Sequence, residues 1–177
     1  AQQIVVDVRT REHAFDSRWV DAVASAGLIY LSGGNPTFLA DTLRDTPVWA
    51  AIVDAWRGGA GLAGCSAGAM AMGGYVPNYR HPRSGGTHGL QIVPNVRVLP
   101  HFDRYTRWMP AFALRPLVTD DGVVLGIDED TALVAQSPDD PATPWEFTPR
   151  GRQHACEVTR GGTMRIDRIE LHVDVPR

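Results

Sequence analysis

Ser66 is the residue of this chain best placed to act as a nucleophile. It lies within Gly64-Cys65-Ser66-Ala67-Gly68, where a short apolar run meets a stretch of small residues with helical character. Glycines on both sides permit the sharp strand-to-helix turn that exposes a serine hydroxyl, and the following helix directs N–H groups toward that oxygen. The motif predicts nucleophilic chemistry, although similar small-residue patterns also occur where a helix packs closely on a sheet.

Cys65 is a rival nucleophile because it directly precedes Ser66. Side chains alternate along a strand, so we expect this thiol to point into the sheet as a small buried hydrophobic group. Cys156, the second of the two cysteines, lies far away and without the spacing of a zinc site or a disulfide framework. The sequence therefore predicts no metal and no cofactor.

A serine hydroxyl needs a base to remove its proton, and His101 is the best candidate among six histidines. It follows an apolar run, 96–99, at the predicted carboxyl end of a strand. The other histidines lie in polar segments, a glycine-rich loop or tail strands, where a solvated or structural role is expected: His13, His81, His88, His154 and His172.

An acidic cluster follows the next apolar run along the chain. Asp128, Glu129 and Asp130 come directly after residues 123–127, again at a predicted strand end. A carboxylate there could fix the tautomer of the histidine and stabilise the imidazolium. A solvated acidic turn is an equally good explanation of the cluster.

Two backbone N–H groups are needed to hold an oxyanion in acyl transfer. Ala67 supplies one candidate, since it follows the nucleophile, and Gly34 supplies the other from a glycine turn at the end of another predicted strand. The neighbouring Gly33 and Asn35 are expected to contact substrate. An ordinary tight turn is the alternative for the two glycines.

Elements that would position these groups alternate between strand and helix. The predicted strands are 3–8, 26–31, 61–64, 90–93, 96–99, 123–127 and 131–135, with antiparallel strands in 154–173; the predicted helices are 17–25, 37–44, 47–57 and 107–117. Residues 77–89 form a predicted mobile surface loop. Such alternation predicts a parallel sheet covered by helices on both faces, with its chemistry at the carboxyl ends of the strands.

Composition narrows the class of protein. A chain of 177 residues with 44% apolar residues fits one globular domain, and a net charge of −3 with scattered arginines argues against a nucleic-acid partner. The 17 basic residues are all arginine, which excludes lysine-based chemistry. We find no bilayer-spanning run and no signal-peptide pattern, and we expect a soluble cytoplasmic protein.

Four blocks of sequence, 31–37, 64–69, 100–107 and 126–132, resemble in order and spacing the dipeptidase E and cyanophycinase family of serine peptidases. The resemblance implies an α/β three-layer sandwich like that of class I glutamine amidotransferases, with a mostly parallel central sheet and an antiparallel C-terminal hairpin region. It also implies Ser66 as nucleophile, His101 as base and Glu129 as the acidic member. Asp128 is the fallback for that last role.

The resemblance further implies a substrate with an acidic residue. Dipeptidase E enzymes cleave dipeptides that begin with aspartate, and cyanophycinases cut β-aspartyl-arginine units. Arg104 and Arg107 are the candidate clamps for the substrate carboxylate, because an arginine offers paired N–H donors to a carboxylate. Arg80 and Arg83 could contribute from the loop.

Family members usually begin with a further strand and helix, and we expect this chain to lack them. The gap would expose an edge of the sheet, so either upstream residues are missing or a partner chain covers it, and we expect a homo-oligomer. An aspartyl dipeptidase is the leading hypothesis for the activity. Cyanophycinase-like isopeptide cleavage and a non-catalytic binding or assembly domain are the alternatives.

Overall fold

The chain adopts an α/β fold. The computed structural model describes residues 2–78, 86–106, 111–120, 122–138, 140 and 142–174. Its helices are α1 (Ser17–Ala24), α2 (Pro36–Leu43), α3 (Pro47–Arg57), α4 (Ala67–Met72) and α5 (Phe102–Thr106), with 3₁₀ helices at Glu12–Phe15 and Ala111–Leu117. Its strands are β1 (Leu28–Leu31), β2 (Gly61–Gly64), β3 (Tyr75–Val76), β4 (Thr87–His88), β5 (Val96–Pro100), β6 (Val123–Ile127), β7 (Thr131–Val134), β8 (Trp145–Gly151), β9 (Ala155–Thr159), β10 (Gly162–Ile166) and β11 (Ile169–Leu171).

Helices α1, α2 and α3 begin where local sequence signals predict. The side chains of Asp16, Asn35 and Thr46 each accept a hydrogen bond from a backbone N–H of the first helical turn. These bonds satisfy donors that have no partner within the helix, and a proline follows the cap in α2 and α3. Within the described ranges, no helix has both the length and the apolar character needed to cross a membrane.

Two parallel strand pairs have carboxyl ends that lead into the predicted site residues. Strand β1 pairs with β2, and β5 pairs with β6, both in parallel. The second pair belongs to a four-stranded sheet of order β10-β9-β6-β5, while β11-β8-β7 and β3-β4 form antiparallel sheets. The predicted α/β class and the antiparallel strand pairing in the C-terminal region are confirmed, and the four-stranded sheet is mixed, with one parallel and two antiparallel strand pairs.

Apolar faces of the helices form one side of the core. Helices α1 and α3 pack against each other, and the buried Val48, Ile52 and Val53 of α3 join Ile29 and Leu31 of β1 in one cluster. On the opposite face of β1, Leu28 and Tyr30 are exposed. A β1 strand with one buried and one open face leaves an apolar surface beside the site.

Two predicted strands are absent. Residues 3–8 are extended in sequence pattern, yet in the described part of the chain no strand pairs with them. Residues 90–93 form no strand either: Leu90 and Ile92 are buried, and Val93 makes an isolated bridge to Gly73. Both predictions were wrong because apolar and β-branched residues favour strands only when a partner strand is available.

Other segments extend the prediction. Residues 111–117 of the predicted helix at 107–117 form a 3₁₀ helix, while residues 107–110 lie outside the described residues. In the predicted loop 77–89, residues 79–85 also lie outside them, and the flanking segments β3 and β4 pair antiparallel. Strand β8 was not predicted.

Candidate active site

Ser66 occupies a strained turn between β2 and α4. Its backbone has φ 50° and ψ −110°, in the half of conformational space that residues with a side chain rarely adopt. Glycine makes the turn possible, because a Cβ at Gly68 would lie 2.1 Å from the carbonyl oxygen of Leu31, and one at Gly64 would lie 2.6 Å from the carbonyl carbon of Gly68. Helix α4 therefore packs backbone to backbone on the strands.

His101 and the acidic cluster leave the sheet at the same edge. Strands β5 and β6 run parallel with Pro100 opposite Ile127, so the residues that follow each strand emerge side by side. His101 has φ 54°, and Phe102 behind it packs against Gly126, where a Cβ would lie 2.5 Å from the aromatic ring. The local turn thus directs the imidazole toward the carboxyl end of β2.

Ser66, His101 and Glu129 form one hydrogen-bonded chain. The Nε2 atom of His101 lies 3.0 Å from the Oγ atom of Ser66, and its Nδ1 atom lies 3.0 Å from Oε1 of Glu129. An ionised carboxylate only accepts hydrogen bonds, so we assign the proton to Nδ1. The unprotonated Nε2 then accepts from the serine hydroxyl, which is the arrangement needed for a general base.

Neighbours of Glu129 have other partners. The Oδ2 atom of Asp128 accepts a hydrogen bond from the backbone N–H of His154 at 3.2 Å, and Asp130 forms an exposed ion pair with Arg152 at 2.7 Å. The structure therefore brings Glu129, rather than the fallback Asp128, to the imidazole.

Glu129 is itself held by α5. Its Oε2 atom lies 2.8 Å from Nη2 of Arg104, and its backbone N–H donates to Oδ1 of Asp103 at 3.0 Å. The sequence predicts a substrate contact for Arg104 and no role for Asp103. The spacing after His101 was the available signal, since both residues lie within one helical turn of the base.

The predicted oxyanion donors are Ala67, directly after Ser66, and Gly34, in a glycine turn that approaches Ser66 through Gly33. Ala67 is buried and opens α4, where its N–H has no partner within the helix. A Cβ at Gly33 would lie 3.6 Å from Cβ of Ser66, so the glycine turn approaches the nucleophile, and Gly34 has φ 136°. Asn35 differs, because its Oδ1 accepts from the N–H of Phe38 at 3.0 Å and caps α2.

Arg107, the second predicted carboxylate clamp, lies outside the described residues, as do Arg80 and Arg83. Among the predicted arginines, Arg104 is thus the one whose placement is described. Its side chain is 69% exposed while bound to Glu129.

Cys65 is exposed, which contradicts its predicted burial. The strained turn at Ser66 interrupts the strand, so the alternation of side chains assumed for Cys65 ends one residue earlier. The thiol lies beside Tyr30, and a hydrogen bond to Cys65 raises the pKa of the Tyr30 phenol. Cys65 therefore lines the cleft instead of the core.

An apolar cleft of about 1120 Å³ adjoins the three hydrogen-bonded side chains. Ser66, His101 and Glu129 line it together with aromatic and aliphatic side chains that include Tyr30, Trp56 and Trp145. The rings of Trp56 and Trp145 have centroids 5.9 Å apart. Trp56 both packs on the core and borders this cleft.

Within the described residues, no three side chains of histidine, cysteine, aspartate or glutamate lie close enough together to hold a metal ion.

Comparisons with known proteins agree with this geometry. The model of Peptidase family S51 matches residues 3–139. A cyanophycinase of Nostoc sp. (strain PCC 7120) is 36% identical over 73% of this chain and 46% of its own length, and one of Geminocystis herdmanii is 32% identical over 75% and 51%. The chain thus spans about half the length of the curated relatives that it matches.

Solved structures extend the comparison. The crystal structure of a peptidase from an acI-B1 Actinobacterium superposes with a TM-score of 0.79 at 38% identity, covering 93% of this chain and 68% of that one. A putative peptidase E protein from Listeria monocytogenes superposes with a TM-score of 0.56 at 15% identity, covering 86% and 70%, and shares the fold. By sequence and by structure, the chain belongs to peptidase family S51.

Proposed function

We propose that this protein is a serine peptidase that hydrolyses short peptides through an acyl-enzyme. The observation that carries the proposal is the chain of hydrogen bonds from Ser66 through His101 to Glu129, each 3.0 Å long. A nucleophile, a base in reach of it and a group that orients the base are the parts that acyl transfer requires. Membership of a peptidase family supports the same reading.

In the proposed first step, the Oγ atom of Ser66 attacks the carbonyl carbon of the scissile bond while Nε2 of His101 takes its proton. The C–N bond then breaks, and the imidazolium gives that proton to the leaving amine. Glu129 keeps Nδ1 protonated and stabilises the imidazolium. Water repeats the sequence on the acyl-enzyme, with His101 as base, and releases Ser66.

The negative oxygen formed in each addition step would be held by the backbone N–H groups of Gly34 and Ala67. Ala67 follows Ser66 in the chain, and Gly34 follows Gly33, where a Cβ would lie 3.6 Å from Cβ of Ser66. Losing one such donor typically costs about 10²- to 10³-fold in rate. Gly33 lies beside the nucleophile, since a Cβ there would be in van der Waals contact with Cβ of Ser66.

For the substrate we propose dipeptides that begin with aspartate. This choice rests on the resemblance to dipeptidase E enzymes and on Arg107, one of the two arginines after His101 that are predicted to bind the substrate carboxylate. A second candidate is a β-aspartyl isopeptide, and the similarity to cyanophycinases supports this candidate. α-Asp-Arg and β-Asp-Arg present the same atoms through different carbonyl groups, so comparing kcat/KM for the two separates the candidates.

The test of the proposed mechanism is Ser66→Ala, which removes the attacking oxygen. We expect hydrolysis of both substrates to be lost and the unfolding temperature to be retained. The matched control is Ser25→Ala, at an exposed serine beyond the end of α1, which should keep full activity. Turnover by Ser66→Ala would refute the mechanism. A wild-type protein inert to substrates and to a serine-reactive fluorophosphonate would instead support a non-catalytic binding domain.

A further inference from the structure

Two consecutive residues of α5 bind Glu129 at different atoms. The guanidinium of Arg104 contacts Oε2 at 2.8 Å, and the carboxylate of Asp103 accepts the backbone N–H of Glu129 at 3.0 Å. The remaining carboxylate oxygen, Oε1, faces His101. Both oxygens and the main chain of Glu129 are therefore fixed at once.

We propose that Asp103 and Arg104 are positioning residues that fix Glu129 for its hydrogen bond to His101. The inference rests on the proposed function and adds to it the residues that keep the acid in register with the base. Helix α5 starts at the residue after His101, so a single short segment carries the base and also grips the partner of that base. A displacement of β6 relative to β5 would be resisted at both contacts.

Stability alone is a poor explanation for the Arg104 contact. The Arg104 side chain is 69% exposed and that of Glu129 is 32% exposed, and ion pairs in such surroundings add little to folding because water screens them. Their geometric effect is larger, since a second contact restricts the carboxylate to the rotamer that meets the imidazole. Catalytic groups need positions fixed to a fraction of an ångström.

A role on the substrate is the competing explanation for Arg104. A guanidinium that clamps the substrate aspartate would affect substrates that carry this carboxylate and would leave the reactivity of Ser66 alone. A positioning residue would lower the reactivity of Ser66 toward any electrophile. The two roles therefore differ in a reaction that involves no aspartyl substrate.

The experiment measures the second-order rate of Ser66 labelling by an uncharged alkyl fluorophosphonate, alongside kcat and KM for Asp-Ala. Arg104→Met removes the charged contact and keeps a long side chain, while Arg104→Lys keeps the charge. Asp103→Ala removes the acceptor for the Glu129 N–H, while Asp103→Asn keeps an acceptor oxygen. The control is Arg160→Gln, which breaks an exposed ion pair of 2.7 Å with Asp120. Asp120 precedes the start of β6, at the end of that strand away from Glu129.

We expect Arg104→Met and Asp103→Ala to slow labelling and to lower kcat by between about 10-fold and about 100-fold, the range that a misplaced catalytic group can cost. KM should change less than about twofold, because these variants do not alter the residues that bind substrate. Arg104→Lys and Asp103→Asn should recover most of the rate, and the control should react at the wild-type rate. Unfolding temperatures of all variants should agree.

Wild-type labelling rates in both Arg104→Met and Asp103→Ala would overturn the inference. A raised KM for Asp-Ala with unchanged labelling in Arg104→Met would also overturn it and would assign Arg104 to the substrate. Neither result touches the proposed function, which fails separately if Ser66→Ala still turns over substrate. An unstable Asp103→Ala variant leaves the Arg104 series to decide, because that side chain is exposed.

Discussion

The two parallel strand pairs deliver their catalytic groups by different physical means. On β1 and β2, backbone packs against backbone, and a Cβ at Gly68 would lie 2.1 Å from the carbonyl oxygen of Leu31. On β5 and β6, side chains do the positioning, through the ring of Phe102, the guanidinium of Arg104 and the carboxylate of Asp103. A backbone contact cannot yield without moving a strand, whereas a side chain can change rotamer. We call β1, β2 and α4, which carry Ser66, the nucleophile half, and β5, β6 and α5, which carry His101 and Glu129, the base half. Substitutions that disturb packing in the nucleophile half should therefore cause an abrupt loss of stability and activity, and those in the base half a graded loss.

The largest effect is expected from Gly68→Ala. A methyl group there overlaps the Leu31 carbonyl, so α4 must move off the sheet and the turn at Ser66 cannot form. We expect destabilisation at or above about 4 kcal/mol, the level at which a single substitution is exceptional, and loss of activity with it. Denaturant unfolding followed by circular dichroism measures this change.

Two further glycine variants calibrate that result. Gly27→Ala is the control, because a Cβ there meets nothing within 4 Å, and it should fold normally. Gly126→Ala places a methyl group 2.5 Å from Cγ of Phe102, a side-chain atom that moves away if χ1 changes, so we expect the smaller cost of about 1 to 3 kcal/mol typical of overpacking. If Gly126→Ala were as damaging as Gly68→Ala, the proposed contrast between the two halves would be wrong.

Glu129→Gln should have the next largest effect, and on rate rather than on folding. The amide removes the negative charge that stabilises the imidazolium and can present an N–H where an acceptor is needed. We expect kcat to fall by about 10²- to 10⁴-fold, the upper figure being the cost of the equivalent change in a serine protease triad. Steady-state kinetics at saturating substrate measures it.

The acidic neighbours provide controls for that measurement. Asp130→Asn should keep activity, because Asp130 is engaged in an exposed ion pair with Arg152 and asparagine tolerates its φ of 56°. Asp128→Asn keeps an oxygen for the N–H of His154 and should also remain active. A larger loss in Asp128→Asn than in Glu129→Gln would transfer the acidic role to Asp128.

Alkylation of the two cysteines, Cys65 after β2 and Cys156 on β9, compares the two regions without a substitution. Cys65 is exposed in the cleft, while Cys156 on β9 is half-buried, and burial raises the pKa of its thiol with a further contribution from Asp128. A raised pKa means less thiolate at neutral pH, so Cys156 should react slowly with iodoacetamide and faster as the pH rises. Peptide mass spectrometry at pH 7 should find Cys65 alkylated first.

The same iodoacetamide treatment can be followed by measuring enzyme activity. Alkylation of Cys65 places a carboxamidomethyl group next to Ser66, so we expect turnover to fall as that cysteine is modified. The Cys65→Ser variant, treated identically, should keep its activity. Loss of activity that tracks Cys156 instead would contradict the exposed placement of Cys65.

Sequence could locate the chemistry because the reacting groups follow strand ends. Ser66, His101 and Glu129 each come after a short apolar run, and carboxyl ends of parallel strands meet at one edge. Sequence could not choose between Asp128 and Glu129, since adjacent residues differ only in the direction of their side chains after the strand. That direction is decided by long-range contacts, the N–H of His154 for one and α5 for the other.

Failures of the sequence prediction share a tertiary cause. Residues 3–8 have the alternation of a strand without a partner in the described chain. Strand β8 contains Pro149, and a proline argues against a strand that is paired on both sides. Strand β8 accommodates it because β11 pairs only with residues 145–147 and ends before the proline. Pro149 faces β7 on one side and has no β11 residue opposite it. Neither availability of a partner nor the length of a neighbour is written in local sequence.

The smallest predicted effect concerns Asn35, where the nucleophile half meets α2. Its Oδ1 caps the helix by accepting from the N–H of Phe38 at 3.0 Å, so Asn35→Ala should cost about 1 kcal/mol of stability, as helix N-caps do. Asn35→Asp keeps the cap oxygen and should retain stability, which makes it the variant that isolates the predicted contact with substrate. If the side-chain amide also touches the substrate, Asn35→Asp will raise KM while its unfolding midpoint stays at the wild-type value. If KM is unchanged in that variant, the residue serves the helix alone, and the contacts that define the nucleophile half all come from backbone.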